Sequence, residues 1–123
     1  MNFLAVFIGG GLGSLARYLM GILVAKTNQN GLSEYFPLAT FLSNLLACII
    51  LAATLYFFKD KFTGFPWISP LIISGFCGGF STFSTFSFET SLLFQQGNYT
   101  WAILNIVISL AFGIGLFLML EKQ

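Results

Sequence analysis

The sequence predicts an all-α integral membrane protein with four transmembrane helices per chain, the third broken near its middle. Three observations carry that prediction. Of the 123 residues, 57% are apolar and only 7% charged, and the mean hydropathy is +0.90, well outside the range of a soluble domain. The apolar residues gather into four stretches, each long enough to cross a hydrocarbon core of about 30 Å. Glycines interrupt the third stretch. Because lipid replaces water on the outside, a short chain need not build a thick core, and residues 1–123 are read as a single transmembrane domain.

The spans follow in order. Residues 3–24 form an apolar run of about 22 residues, roughly 33 Å as a helix. It lacks the basic start, the shorter apolar stretch and the small-residue cleavage site of a signal peptide, so it is expected in the mature protein. Lys26 to Pro37 carries Asn28, Gln29, Asn30, Gly31 and Glu34, the turn formers and charge of a loop outside the membrane. Residues 38–58 hold no charge and meet water at Lys59, Asp60 and Lys61. Residues 66–94 are longer than a bilayer requires. Gly75, Gly78 and Gly79 lie inside them, and irregular backbone at membrane depth is tolerated where protein or a cavity covers it. A turn over residues 95–98 leads to the fourth span, residues 99–120, with Tyr99 and Trp101 placed for an aromatic belt.

Four spans put both termini on one side. Lys59, Lys61 and Lys122 then oppose Lys26 and Arg17, a weak bias that permits insertion both ways and hence an antiparallel dimer of identical chains. No internal repeat is evident.

Composition also excludes function classes. The net charge is +1 and the five basic residues are scattered, so no surface suits nucleic acid. There is no histidine, and Glu34, Asp60, Glu89 and Glu121 are far apart, which removes most metal sites and His-based catalysis. An enzyme is not expected. Cys48 and Cys77 fall in apolar segments and read as packing residues. The run from Gly11 to Ala16 imitates a GxGxxA dinucleotide fingerprint, with Glu34 about 20 residues on. Continuous apolar helices cannot supply the βαβ unit it needs, so its glycines read as close-packing positions.

The remaining candidates are the polar residues inside spans. Arg17 costs about 2.5–3.5 kcal/mol at a span centre. It either snorkels towards the boundary marked by Lys26 or provides a fixed positive potential in an aqueous, anion-attracting vestibule. Glu89 is either structural, paired with Arg17 or with hydroxyls, or a proton-coupling carboxylate. Gly78 to Glu89 repeats every third residue. On a continuous helix Phe80, Phe83 and Phe86 would form one stripe, Thr82, Thr85 and Glu89 a second, and Ser81, Ser84 and Ser87 a third. Ring edges and hydroxyls could face an anion, or the hydroxyls could simply return hydrogen bonds to the preceding turn. Asn44, with Thr40 one turn before it, brings two donors to the second span, or glues helices together. Gly9 and Gly13, like Gly75 and Gly79, have small-xxx-small spacing.

Three motifs occur together: Gly9-Gly10-Gly11-Leu12-Gly13-Ser14-Leu15-Ala16-Arg17-Tyr18, then Asn44 within Ser43-Asn44-Leu45-Leu46-Ala47, then Gly78-Gly79-Phe80-Ser81-Thr82-Phe83-Ser84-Thr85-Phe86-Ser87. On these the chain resembles the Fluc/CrcB fluoride channels over nearly its whole length. The resemblance implies a fluoride-selective channel that exports fluoride passively across the bacterial cytoplasmic membrane. It implies an antiparallel dual-topology homodimer with two pores and a structural sodium ion at the dimer interface. By motif position, Gly78 and Ser81 would offer backbone carbonyls to the sodium, and Phe83 and Phe86 would flank fluoride. Asn44 would be a pore donor with Thr40 beside it, Ser84 and Thr85 a polar track, and Arg17 the vestibule charge.

Phe80 stands where leucine is expected and Ser81 where threonine is common, but neither alters a backbone ligand. Ser109 and Gly113 depart from the residues relatives carry in the fourth span, so the resemblance assigns no pore lining there. Fluoride is small and strongly hydrated, and closely spaced donors must replace its water. The rival readings are a small four-span proton-coupled exporter using Glu89 and a non-conducting assembly subunit.

Overall fold

The computed structural model describes residues 2–27, 31 and 35–122. The expected loop residues Asn28, Gln29, Asn30 and Glu34 lie outside the described residues. Among those described there is no strand, and four helical stretches are long and apolar enough to cross a membrane.

Helix α1 spans Asn2–Thr27 and α2 spans Leu38–Phe58. The third crossing is made of two pieces. Helix α3 covers residues 69–80, wound as a wide π-helix over Ser69–Cys77 and as an α-turn over Gly78–Phe80. Helix α4 is Phe83–Gln95, and α5 is Tyr99–Glu121. The third crossing begins at Ser69 rather than near Pro66, because Pro66 and Trp67 are taken up in turns.

Close packing follows the glycines. Ala5, Gly9 and Gly13 are the buried residues along the first half of α1, spaced by four so that they share one face. That face meets α3 backbone to backbone. A Cβ on Gly9 would overlap the Leu71 carbonyl oxygen, and one on Gly13 the Phe76 carbonyl oxygen. From the other side, a Cβ on Gly75 would lie 3.0 Å from the Gly10 nitrogen, and one on Gly79 2.5 Å from the Gly10 oxygen. Only glycine permits this approach, which is how helices without a hydrophobic driving force between them gain dispersion contact.

Helix α2 buries Thr40, Ser43, Ala47 and Thr54, small side chains recurring on one face. Helix α5 buries Ala102, Asn105 and Gly113 in the same manner, with Gly113 against the Cys48 sulfur. Both cysteines are free. Phe36 clamps the loop end of α2 to α5, its ring 5.2 Å from Phe41 and 5.7 Å from Trp101. Trp101 thus has an inward partner, whereas Tyr99 remains exposed.

Two helix ends have clear local causes. Helix α4 stops at Gly97, whose φ of 81° suits glycine, and the Asn98 amide reaches back to the Leu93 carbonyl at 2.8 Å, closing the helix end. The junction between α3 and α4 is the more consequential one. Ser81 (φ −80°, ψ 158°) and Thr82 (φ −151°, ψ 121°) are both extended.

Candidate functional site

The site grows from that junction. At its α3 side, the Ser81 amide and hydroxyl both donate to the Cys77 carbonyl, at 3.0 and 2.7 Å, and end the helix there. At its α4 side, the Thr82 hydroxyl accepts the Thr85 amide at 3.2 Å, an N-cap on the new helix. Asn44 splints the extended pair from α2. Its Oδ1 accepts the Thr82 amide at 2.8 Å and its Nδ2 donates to the Thr82 carbonyl at 3.3 Å.

These diversions leave backbone groups free at membrane depth. In an unbroken helix the Thr82 amide would bond the Gly78 carbonyl, and the Thr85 amide the Ser81 carbonyl. Both amides are spent elsewhere. On the other side of the junction, Phe83 and Ser84 open α4 with amides that have no acceptor within the helix.

The candidate residues divide between two grooves. One, of about 240 Å3, is lined by Asn44, Phe83, Phe86 and Ser109 beside the Ser81–Thr82 junction. The rings of Phe83 and Phe86 are 6.3 Å apart at 34°. The other, of about 540 Å3, brings together Arg17, Thr40, Ser43, Thr85 and Glu89. Ser84 is exposed and bonds the Thr82 hydroxyl at 3.3 Å. Gly78 and Ser81 line a smaller recess beside Cys77.

The continuous stripe expected of Phe80, Phe83 and Phe86 is not formed. Two extended residues reset the helical phase, so Phe80 is buried at 4% exposure while Phe83 is 80% exposed. Thr85 lies on another face of α4 from Phe83 and Phe86, as the helical spacing requires, and faces the Arg17 groove.

Glu89 takes a hydrogen bond from Thr40 at 3.0 Å, and no hydrogen bond joins it to Arg17 among the described residues. Its second oxygen and the Ser43 hydroxyl are buried without a hydrogen-bond partner among those residues. Arg17 is partly buried on the wall of this groove and gives it its positive charge.

Taken with the geometry, the comparison with known proteins identifies the group. The sequence model described as "CrcB-like protein, Camphor Resistance (CrcB)" matches residues 4–120. The chain belongs to the CrcB family. Proteins of this group from Salmonella arizonae, Salmonella paratyphi B and Salmonella newport, each named fluoride-specific ion channel FluC, are 42% identical to this CrcB chain over 107 residues. The match covers 87% of this chain and 80% of each relative. With four apolar crossings, this CrcB member is a multi-pass membrane protein.

The structure adds residues that sequence reasoning passed over. Asn105, 1% exposed, donates to the Thr90 hydroxyl at 3.0 Å, and Thr90 donates to the Phe86 carbonyl at 2.7 Å. The signal was available, because Asn105 is an amide side chain in the midst of an apolar span.

Proposed function

We propose that this protein is a fluoride-selective channel that exports fluoride passively across the bacterial cytoplasmic membrane, and not an enzyme. Membership of the CrcB family, whose compared members are named fluoride-specific ion channels, carries the proposal. The groove of Asn44, Phe83, Phe86 and Ser109 gives it a physical basis.

A small anion entering that groove meets donors and no competing cation. The broken third span starts a helix inside the membrane, and the unspent amides of Phe83 and Ser84 lie at its positive end. Phenylalanine ring edges carry partial positive charge. Ser109 supplies a hydroxyl, and Asn44 keeps one amide proton beyond the one given to Thr82. Arg17 gathers anions from water into the neighbouring groove, where Thr85 offers a hydroxyl and Thr40 holds Glu89. Ser84 and Thr85 continue the polar track.

The working unit is read as an antiparallel dual-topology homodimer with two pores. The support is that Phe83 is 80% exposed in one chain, so another surface must complete a pore lined by its ring. The weak charge bias permits the second copy to insert inverted.

A structural sodium ion at the dimer interface fits the free oxygens. The carbonyls of Gly78 and Ser81 have lost their helical donors, and a hard cation favours such oxygens. Sodium bound there would hold the third-span breaks of two copies together.

The proton-coupled exporter is not favoured. Glu89 is tied to Thr40 and lies outside the groove of Phe83 and Phe86.

Purified protein in fluoride-loaded liposomes, followed with a fluoride electrode, tests the function. Release of fluoride without comparable chloride is expected, and needs no pH gradient. No fluoride release, or chloride release as fast, would overturn it.

A further inference from the structure

The anion groove has two walls on different helices. Phe86 belongs to α4 and Ser109 to α5. A buried chain of hydrogen bonds behind the groove joins them. The Phe86 carbonyl accepts from the Thr90 hydroxyl at 2.7 Å, and the Thr90 oxygen accepts from Asn105 Nδ2 at 3.0 Å. Asn105 Oδ1 in turn accepts from the Ser109 hydroxyl at 3.4 Å. The protons are all assigned: Thr90 spends its own on Phe86, so its oxygen is free to receive Asn105.

The lengths differ in a way that matters. The bonds anchoring Asn105 to α4 are of ordinary length, whereas 3.4 Å is well beyond the roughly 2.7–2.8 Å preferred by hydroxyl donors. Ser109 is therefore held in place by a bond it can readily exchange. A serine on a helix commonly donates to the carbonyl four residues back, as Thr54 does to Ile50 at 2.8 Å and Thr90 to Phe86. Ser109 instead uses the Asn105 side chain. A hydroxyl locked onto a backbone carbonyl at 2.7 Å would be a poor donor to an anion, and one loosely held by an amide oxygen is a good one.

We infer that Asn105 is a positioning residue for anion recognition, fixed to α4 through Thr90 and holding the Ser109 hydroxyl as an exchangeable donor at the groove wall. The inference rests on the fluoride-channel reading. When the anion arrives, the Ser109 O–H turns towards it, and Asn105 stays in place because its bond to Thr90 is untouched. Asn105 itself, almost fully buried, does not touch the anion.

Full-length protein in liposomes tests this by fluoride efflux at graded internal fluoride, giving a half-saturating concentration and a maximal rate. Ser109→Ala and Asn105→Leu should each raise the half-saturating fluoride about three- to tenfold, the range given by one lost hydrogen bond. The double variant should be no worse than the more affected single one, since Asn105 acts through Ser109. Thr90→Val, which leaves Ser109 and Asn105 in the chain but removes the anchor, should give a smaller rise that also disappears in the Ser109→Ala background. Effects that multiply in the double variants, or an unchanged half-saturation in Asn105→Leu, overturn the inference while fluoride release by the parent protein stands. Failure of both Asn105→Leu and Thr90→Val to fold assigns the cluster to structure alone and overturns it equally. If the parent protein releases no fluoride, the function proposal fails and this inference falls with it.

Discussion

Asn44 spends both ends of its amide on one residue, the extended Thr82, and so substitutes for the helical bond that the chain gives up there. This makes it a splint as well as a proposed pore donor, and the two roles separate by substitution. Asn44→Asp keeps an acceptor for the Thr82 amide but loses the donor and adds a negative charge beside the proposed anion path. Phe83→Ile keeps an apolar side chain but removes the ring edge. Each should lower fluoride flux at least about tenfold, the first by charge repulsion in a low-dielectric groove and the second by loss of the ring quadrupole. Liposome efflux of variants that still elute as the parent protein does checks this, and unchanged flux in both would remove them from the proposed pore. Glu89 illustrates a different outcome. An acidic residue in a span suggested pairing with Arg17, hydrogen bonds from hydroxyls or proton coupling, and the structure ties one oxygen to the Thr40 hydroxyl.

At the scale of elements, the pairing of α1 with α3 depends on backbone contact that no larger residue allows. A methyl group on Gly13 would meet the Phe76 carbonyl and the Phe80 amide nitrogen, whereas one on Gly21 would meet nothing within 4 Å. Gly13→Ala should therefore cost about 1–3 kcal/mol through overpacking, seen as a thermal midpoint several degrees lower in detergent. Gly21→Ala, on the same helix, should leave the midpoint unchanged or slightly higher, since alanine is the better helix former. Equal behaviour of the two would contradict the packing described. The break between α3 and α4 shows the same economy of means. Three side chains, Asn44, Ser81 and Thr82, satisfy part of what an interrupted helix exposes, and the remaining amides and carbonyls are the groups on which the proposed ion sites rest.

For the whole molecule, the exposure of Phe83 and the near-balance of charge on the two sides belong together. A chain with a groove open on its surface and little preference for orientation suits an inverted second copy. A single cysteine introduced as Lys61→Cys, in a Cys48→Ala, Cys77→Ala background, should be labelled by a membrane-impermeant reagent to about half from each side of sealed vesicles, as an even split of orientations requires. Labelling from one side alone would exclude the antiparallel dimer.

The sequence by itself determined the class of molecule. Four apolar stretches, the lack of catalytic residues and three motifs led to a membrane helix bundle resembling the CrcB family, because span length and hydropathy are set locally by the bilayer. It also marked Gly9 and Gly13, and Gly75 and Gly79, as close-packing positions, since glycines four apart share a helix face whatever surrounds them, but that these two pairs meet each other is a fact of the packed structure. What only the tertiary structure decided was which polar residues meet. The stripe of Phe80, Phe83 and Phe86 failed because Ser81 and Thr82 leave the helix, and nothing in a helical wheel records a change of phase. Thr85 and Thr40 join Arg17 in one groove, Asn44 joins Phe83, Phe86 and Ser109 in another, and Asn105 bridges α4 to α5 behind it. Those partnerships link residues on different helices, and they exist only once the helices have packed.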